Sequence, residues 1–250
     1  MGKTDAEQDR YLVPGLMRGL AALQAFSAER PTMGLSELAA ALGTTRSAMF
    51  RIAYTLTELG FLLQDGRTRA YSLGPAVLKL GYGYLASRDL LEIALPVLER
   101  LRDDTGWSAH LAVREGREAL YLLRVPTRRG MASIVHVGSR LPADATSMGR
   151  VLLAGMEPAE LAALYRDDPP KGASLATLQR RARADAAAGH VLHRGEFEQG
   201  LASIAAPLRD VAGRVVAAIN LSAPGLDPAP VVARLKAAAA EISRAGGWTG

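Results

Sequence analysis

The chain has 250 residues, 49% of them hydrophobic and 22% charged, with a formal net charge of +5. That is length enough for one large or two smaller packed domains, and the balance excludes extensive disorder. With no cysteine, disulfides, thiolate metal sites and cysteine nucleophiles are excluded.

No apolar run approaches the roughly 20 residues needed to cross a bilayer, and the opening MGKTDAEQDR is too polar for a secretory signal. The expectation is a cytoplasmic protein without a membrane partner. The net positive charge favours anionic partners only mildly. Acidic and basic residues nearly balance over residues 1–90, so a nucleic-acid reading has to rest on pattern.

Residues 1–10 lack an apolar period and read as a flexible arm. From Pro14 to Ala28, Leu16, Leu20, Leu23 and Phe26 recur every three or four residues and make one helical face. Pro31 and Gly34 break the chain. Ser36 is the expected N-cap of a short helix carrying Leu38, Ala39 and Leu42, which Gly43 ends.

Thr44 or Thr45 then caps a helix to about Leu59, with Gly60 as its stop. Met49, Ile52, Leu56 and Leu59 fall on one of its faces. Arg46, Ser47, Phe50, Arg51 and Tyr54 fall on another. Phe61–Leu63 and Tyr71–Leu73, with a turn at Asp65-Gly66, form a hairpin. Helix, short helix, turn, helix and hairpin make a winged helix-turn-helix.

Gly74-Pro75 opens a further helix, and Leu90–Arg102 another, with Pro96 implying a kink or restart. Beyond Ser108 strands and helices are mixed. Strands are expected at His110–Arg114, Ala119–Val125, Ser133–Val137, Val191–His193, Ser203–Arg209 and Val215–Leu221. Helices are expected at Ser147–Ala154, Glu157–Tyr165, Leu175–Gly189 and Val231–Arg244. The fold class is α+β, with an antiparallel sheet flanked by helices.

Several segments, in order, resemble one family: "LMRGLAALQAF", "LSELAAALGTTRSAMFRIAYTLTELGFL", "YSLG", "LPADATSMGRVLLA" and "GLASIAAPLRDVAGRVVAAINLSAP". From Tyr11 to Ala245 the chain resembles the IclR family of bacterial transcription regulators. "TSMGRVLLA" and "YLASRDLLEIALPVLERL" look most like its branch governing protocatechuate and 4-hydroxybenzoate breakdown. The resemblance implies a flexible arm (1–10), a winged helix-turn-helix (11–74), a linker helix (75–90) and a GAF-like effector domain (91–250), assembled as a homodimer or dimer of dimers.

The expected partner is double-stranded operator DNA, in a roughly palindromic site if the dimer is two-fold. Residues near the N-terminus of a groove-lying helix reach base edges, here Thr45, Arg46, Ser47, Phe50 and Arg51. Arg46 suits a bidentate contact to guanine, Arg51 a phosphate, and Phe50 thymine methyls. Arg67 and Arg69 at the hairpin tip would touch the neighbouring backbone or minor groove. Ser36, at the start of the preceding helix, joins the set.

The second expected partner is a small carboxylate, such as an aromatic acid. Thr146, Ser147, Met148 and Gly149 lead into a helix whose N-terminus offers N–H groups. By resemblance, the backbone of Ser147 and Met148 binds the carboxylate, and Ser203, Asn220 and Ser222 supply further polar groups. His193 stands where some members carry an acidic residue, which suits a ligand hydroxyl or second acid and a charge that changes near neutral pH. Met131, Leu141 and Leu201 map to apolar walls.

No cofactor, metal or catalytic residue is expected. His190 and His193 have no third ligand nearby, and GxSxG, HExxH and phosphate-loop motifs are missing. Thr146-Ser147 is also compatible with an ordinary helix cap, and the exposed arginines with a solvated face. A ligand-independent architectural DNA-binding protein and a GAF-type nucleotide sensor remain as alternatives.

Overall fold

The computed structural model describes residues 11–27, 29–80, 89–128, 135–170, 173–194, 200–225, 227 and 229–250. The chain divides into two compact units, Met1–Ser87 and Arg88–Gly250.

The N-terminal unit packs three helices on a small antiparallel sheet. Helix α1 (Pro14–Gln24) starts on its proline, whose fixed φ and missing N–H suit the first turn. Strand β1 (Thr32–Met33), helices α2 (Leu35–Ala41) and α3 (Arg46–Glu58), and strands β2 (Leu62–Gln64) and β3 (Tyr71–Leu73) follow. The sheet order is β1-β3-β2. Ala22, Phe26, Met33, Leu38, Met49, Ala53, Leu56, Leu62 and Tyr71 form its core.

Helix α2 begins one residue before the expected cap. Gly34 is the N-cap and Ser36 already lies inside the first turn, because the Glu37 carboxylate accepts the Gly34 N–H at 2.6 Å and organises the start from within. Gly43 closes the helix-turn-helix corner at φ 58°, a left-handed conformation that a side chain would strain. Thr45 is the cap of α3, its Oγ1 accepting the Ala48 N–H.

The first helix ends short of Ala28, and its expected apolar face is only partly inward. Ala22 is buried while Leu16 and Leu20 are 62% and 50% exposed. Leu59 is exposed too, and Ala53 takes the inward place on α3. Strand β1 was not expected. Thr32 and Met33 lie between the Pro31 and Gly34 breakers, and only pairing with Ser72 and Tyr71 makes them a strand. Residues 76–80 are helical; the remainder of the expected linker helix, through 81–88, lies outside the described residues.

The C-terminal unit is built on a six-stranded antiparallel sheet ordered β6-β5-β4-β9-β8-β7. Its strands are β4 (Ser108–Glu115), β5 (Glu118–Val125), β6 (Arg140–Pro142), β7 (Val191–Arg194), β8 (Leu201–Arg209) and β9 (Val215–Pro224). Helices α4 (Asp89–Thr105) and α8 (Val232–Ala245) cover one face. Helix α5 (Ser147–Ala154) covers the other, backed by α6 (Pro158–Leu164) and α7 (Leu175–Ala188). Helix α4 runs through Pro96 without a restart.

The strand expected at Ser133–Val137 is not found in its described part, where Val137 and Gly138 turn at φ 89° for the glycine. The pairing with β5 is made instead by Arg140–Pro142, and Gly138 N–H already bonds Tyr121 C=O at 2.8 Å. Residues 133–134 lie outside the described residues.

Candidate functional site

On the N-terminal unit, α3 divides cleanly. Met49, Ala53 and Leu56 face the core. Arg46, Ser47, Phe50, Arg51 and Tyr54 are exposed, the two rings 6.3 Å apart. A solvated helix face normally carries polar groups, so two half-exposed aromatics flanked by two arginines make a surface suited to a partner. The exposed Ser36 stands in the first turn of α2.

At the hairpin tip Asp65 organises the turn. Its Oδ1 accepts the N–H groups of Arg67 and Thr68 and the Thr68 hydroxyl at 3.1, 2.6 and 2.8 Å. These bonds, the Thr68 N–H first, hold its carboxyl below the usual range. Arg67 and Arg69 are thereby carried exposed on the tip, Arg69 at φ 61°.

The C-terminal unit holds a cavity of about 40 Å³ between α5 and the inner face of the sheet, room for a few waters. Eight of the expected effector residues line it: Leu141, Thr146, Ser147, His193, Leu201, Ser203, Asn220 and Ser222. Strand register brings the polar ones together. His193 pairs with Ser203, Ser203 with Ser222, and Asn220 with His110.

Helix α5 points its N-terminus at this cavity. Thr146 Oγ1 accepts the Gly149 N–H at 3.2 Å, and Ser203 donates its hydroxyl to Ser147 Oγ at 3.0 Å. First-turn N–H groups have no partner within a helix, so this end presents donors and a partial positive charge.

Met148 and Gly149 do not line the cavity. Met148 is fully buried in the cluster beneath α5. Gly149 is where the helix backbone crosses the β6–α5 loop, and a Cβ there would stand 2.2 Å from Ala143 Cα. Their side of the helix serves packing. Met131 lies outside the described residues.

Behind His193, Arg150 stands with Nη1 3.2 Å from the imidazole Nε2. A guanidinium only donates, so Nε2 accepts and the ring proton sits on Nδ1.

His110, Tyr121 and Val135 also line the cavity and were missed. His110 is 1% exposed, a polar residue in an otherwise apolar strand centre. A single histidine in an otherwise apolar stretch of strand was the available signal. Burial pushes its pKa down to about 4, against the bond that His110 donates to Asn220 and helped by the charge of Arg124. Tyr121 turns inward beyond a bulge between Leu111 and Ala112, and burial raises its phenol above the ordinary value.

Among the described residues no three His, Asp or Glu side chains gather as a metal site, and no helix is long and apolar enough to cross a membrane.

Residues 15–66 match the IclR helix-turn-helix domain and residues 82–244 the bacterial transcriptional regulator IclR C-terminal domain. The chain belongs to the IclR family. It is 38% identical over 221 residues to the Pca regulon regulatory protein of Pseudomonas putida, covering 86% of this chain and 75% of that protein. Among solved structures, a transcriptional regulator from Rhodococcus sp. RHA1 is 36% identical with a TM-score of 0.81, covering 93% of this chain and 98% of that one. An IclR homologue from Microbacterium hydrocarbonoxydans, solved in complex with 4-hydroxybenzoate, is 27% identical with a TM-score of 0.82, covering 93% and 98%. This IclR chain is thus a transcriptional regulator with a DNA-binding winged helix-turn-helix and a C-terminal effector-binding domain.

Proposed function

We propose that this IclR regulator senses a small aromatic carboxylate in the cavity under α5 and translates its binding into a change in operator affinity. The observation that carries the reading is the lining itself. A helix N-terminus with Ser147 stands at one side, Ser203, Asn220 and Ser222 on the strands opposite, and Leu141, Leu201 and Tyr121 between them. Donors at one point and apolar walls elsewhere suit a carboxylate on a flat hydrocarbon ring. Similarity to the Pca regulon regulatory protein and to a homologue holding 4-hydroxybenzoate supports the same class.

A nucleotide needs cationic groups for its phosphates, and among the described residues no lysine or arginine lines the cavity. The volume accommodates an aromatic acid only if lining side chains move, which ties occupancy to a conformational change. Thr45, Arg46, Ser47, Phe50 and Arg51 on α3 would enter the major groove, with Ser36, Arg67 and Arg69 on the flanking backbone. The protein would work as a homodimer or dimer of dimers, the exposed Leu16, Leu20, Leu59 and Leu80 on the N-terminal unit being apolar surface that a second copy would cover. The effector shifts DNA affinity only by as much as it prefers one arrangement of the dimer.

The test is a thermal-shift and calorimetric screen with 4-hydroxybenzoate and protocatechuate, followed by operator binding with and without the acid that binds. Saturable binding that alters operator affinity is expected. Failure of both acids to bind overturns the effector class, and binding without any effect on operator affinity overturns the sensing role.

A further inference from the structure

His110 has no part in the carboxylate reading, yet it is the most deeply set polar group of the cavity lining. Its Nδ1 lies 2.9 Å from Asn220 Oδ1. That oxygen only accepts, so the ring proton sits on Nδ1 and is donated to it. Nε2 is left as a bare lone pair. It is buried and has no hydrogen-bond partner among the described residues, an arrangement disfavoured in a folded interior unless something else supplies a donor. The ring is edge-on to Tyr121, centroids 5.7 Å apart at 76°, so it cannot swing toward β5 without displacing that ring. At neutral pH burial keeps the imidazole uncharged, which makes Nε2 an acceptor and not a donor.

We propose that His110 Nε2 accepts a hydrogen bond from a hydroxyl group of the bound effector, so that the cavity selects aromatic acids carrying a ring hydroxyl over the same acids without one. The inference rests on the carboxylate-sensor reading and adds the second recognition point. The two points have opposite polarity. The α5 N-terminus with its N–H groups takes the anionic end, while His110 takes a donor and offers nothing to an ether oxygen or a second carboxylate. Asn220 acts as a positioning residue, since its oxygen fixes the tautomer.

The experiment is calorimetry on the full chain with 4-hydroxybenzoate, 4-methoxybenzoate and benzoate, for the wild type, His110→Phe and His110→Gln. The wild type is expected to prefer the hydroxylated acid over benzoate by about tenfold or more, the scale of one buried hydrogen bond, and to bind the methoxy acid no better than benzoate. His110→Phe should bring the hydroxylated acid to the benzoate level while leaving benzoate affinity within about threefold. His110→Gln, which retains an acceptor, should keep part of the preference.

If His110→Phe does not fold, ¹⁵N spectra of the wild-type imidazole decide the matter, since Nε2 should shift on adding 4-hydroxybenzoate and not on adding benzoate. Equal wild-type affinity for the two acids, an undiminished preference in His110→Phe, or an unmoved Nε2 signal overturns the His110 assignment and leaves the carboxylate reading standing. No binding by any of the three acids overturns the carboxylate reading, and this inference with it.

Discussion

Arg150 and Asp185 form a two-pronged ion pair, Nε to Oδ2 at 2.9 Å and Nη2 to Oδ1 at 2.6 Å, tying α5 to α7. Both side chains are mostly covered, 24% and 11% exposed. The third nitrogen of the guanidinium is thereby aimed at His193 on β7. One arginine thus joins the helix over the cavity, the helix behind it and the sheet edge. Asp185→Asn keeps the shape and removes the charge. It should lower the stability of the C-terminal unit by about 1.5–3 kcal/mol, the range for bonds to charged groups, measured by denaturant unfolding. Wild-type stability would mean that the pair is held by its surroundings and contributes nothing of its own.

Gly149→Ala tests the close approach under α5. A Cβ 2.2 Å from Ala143 Cα meets backbone on one side and helix on the other, so the helix has to lift. A loss of about 3 kcal/mol or more is expected, read as a fall in Tm, together with weakened effector binding because Thr146 and Ser147 move with the helix start.

Arg46→Ala should reduce binding to the specific operator by about 1–3 kcal/mol while changing binding to random duplex much less. Arg67→Ala and Arg69→Ala, on the wing tip, should weaken both alike and lower the salt dependence. Competition binding at two salt concentrations separates the two behaviours, and equal losses on both duplexes for Arg46→Ala would make it a phosphate contact.

Ser222→Ala removes a hydroxyl from the cavity lining and should lower effector affinity about fivefold, the scale of one neutral hydrogen bond, with ligand-free operator binding unchanged. An unaltered calorimetric titration would remove Ser222 from the site.

The depressed pKa of His110 predicts a pH dependence of stability. In the unfolded chain the imidazole takes a proton near 6.5, whereas in the folded protein it does so only near 4. The stabilising difference is therefore complete above about pH 6.5 and is lost as pH falls toward 4, because the unfolded state binds the proton first. Up to about 3 kcal/mol is at stake. Denaturant unfolding between pH 7 and 4 should show a smaller decline for His110→Gln than for the wild type, and parallel curves would show that the carboxylates dominate.

Much of this could be read from periodicity. The two faces of α3, the cap at Thr45 and the Ser147 helix start follow from local spacing, and so do most strands. The antiparallel register then gathered Ser203, Asn220 and Ser222, whose roles had come from the family resemblance. What stayed illegible depends on partners far along the chain. Thr32–Met33 is too short to signal a strand without β3. The inward turn of Tyr121 needs a bulge that composition does not mark. Ser36 lost the cap to Gly34 because a glutamate three residues on can organise the helix start from inside. His110 looked like one histidine among four until Asn220, 110 positions later, was seen beside it.

That separation has a consequence for biogenesis. The floor of the cavity is assembled from β4 and β9, the two middle strands of the sheet, so on the proposed sensor reading a nascent chain cannot bind an effector there until nearly all of the C-terminal unit has left the ribosome and closed. On that reading an effector acid present during synthesis would trap the finished six-stranded sheet and not any intermediate, raising the yield of full-length protein while doing nothing for fragments that stop before Val215.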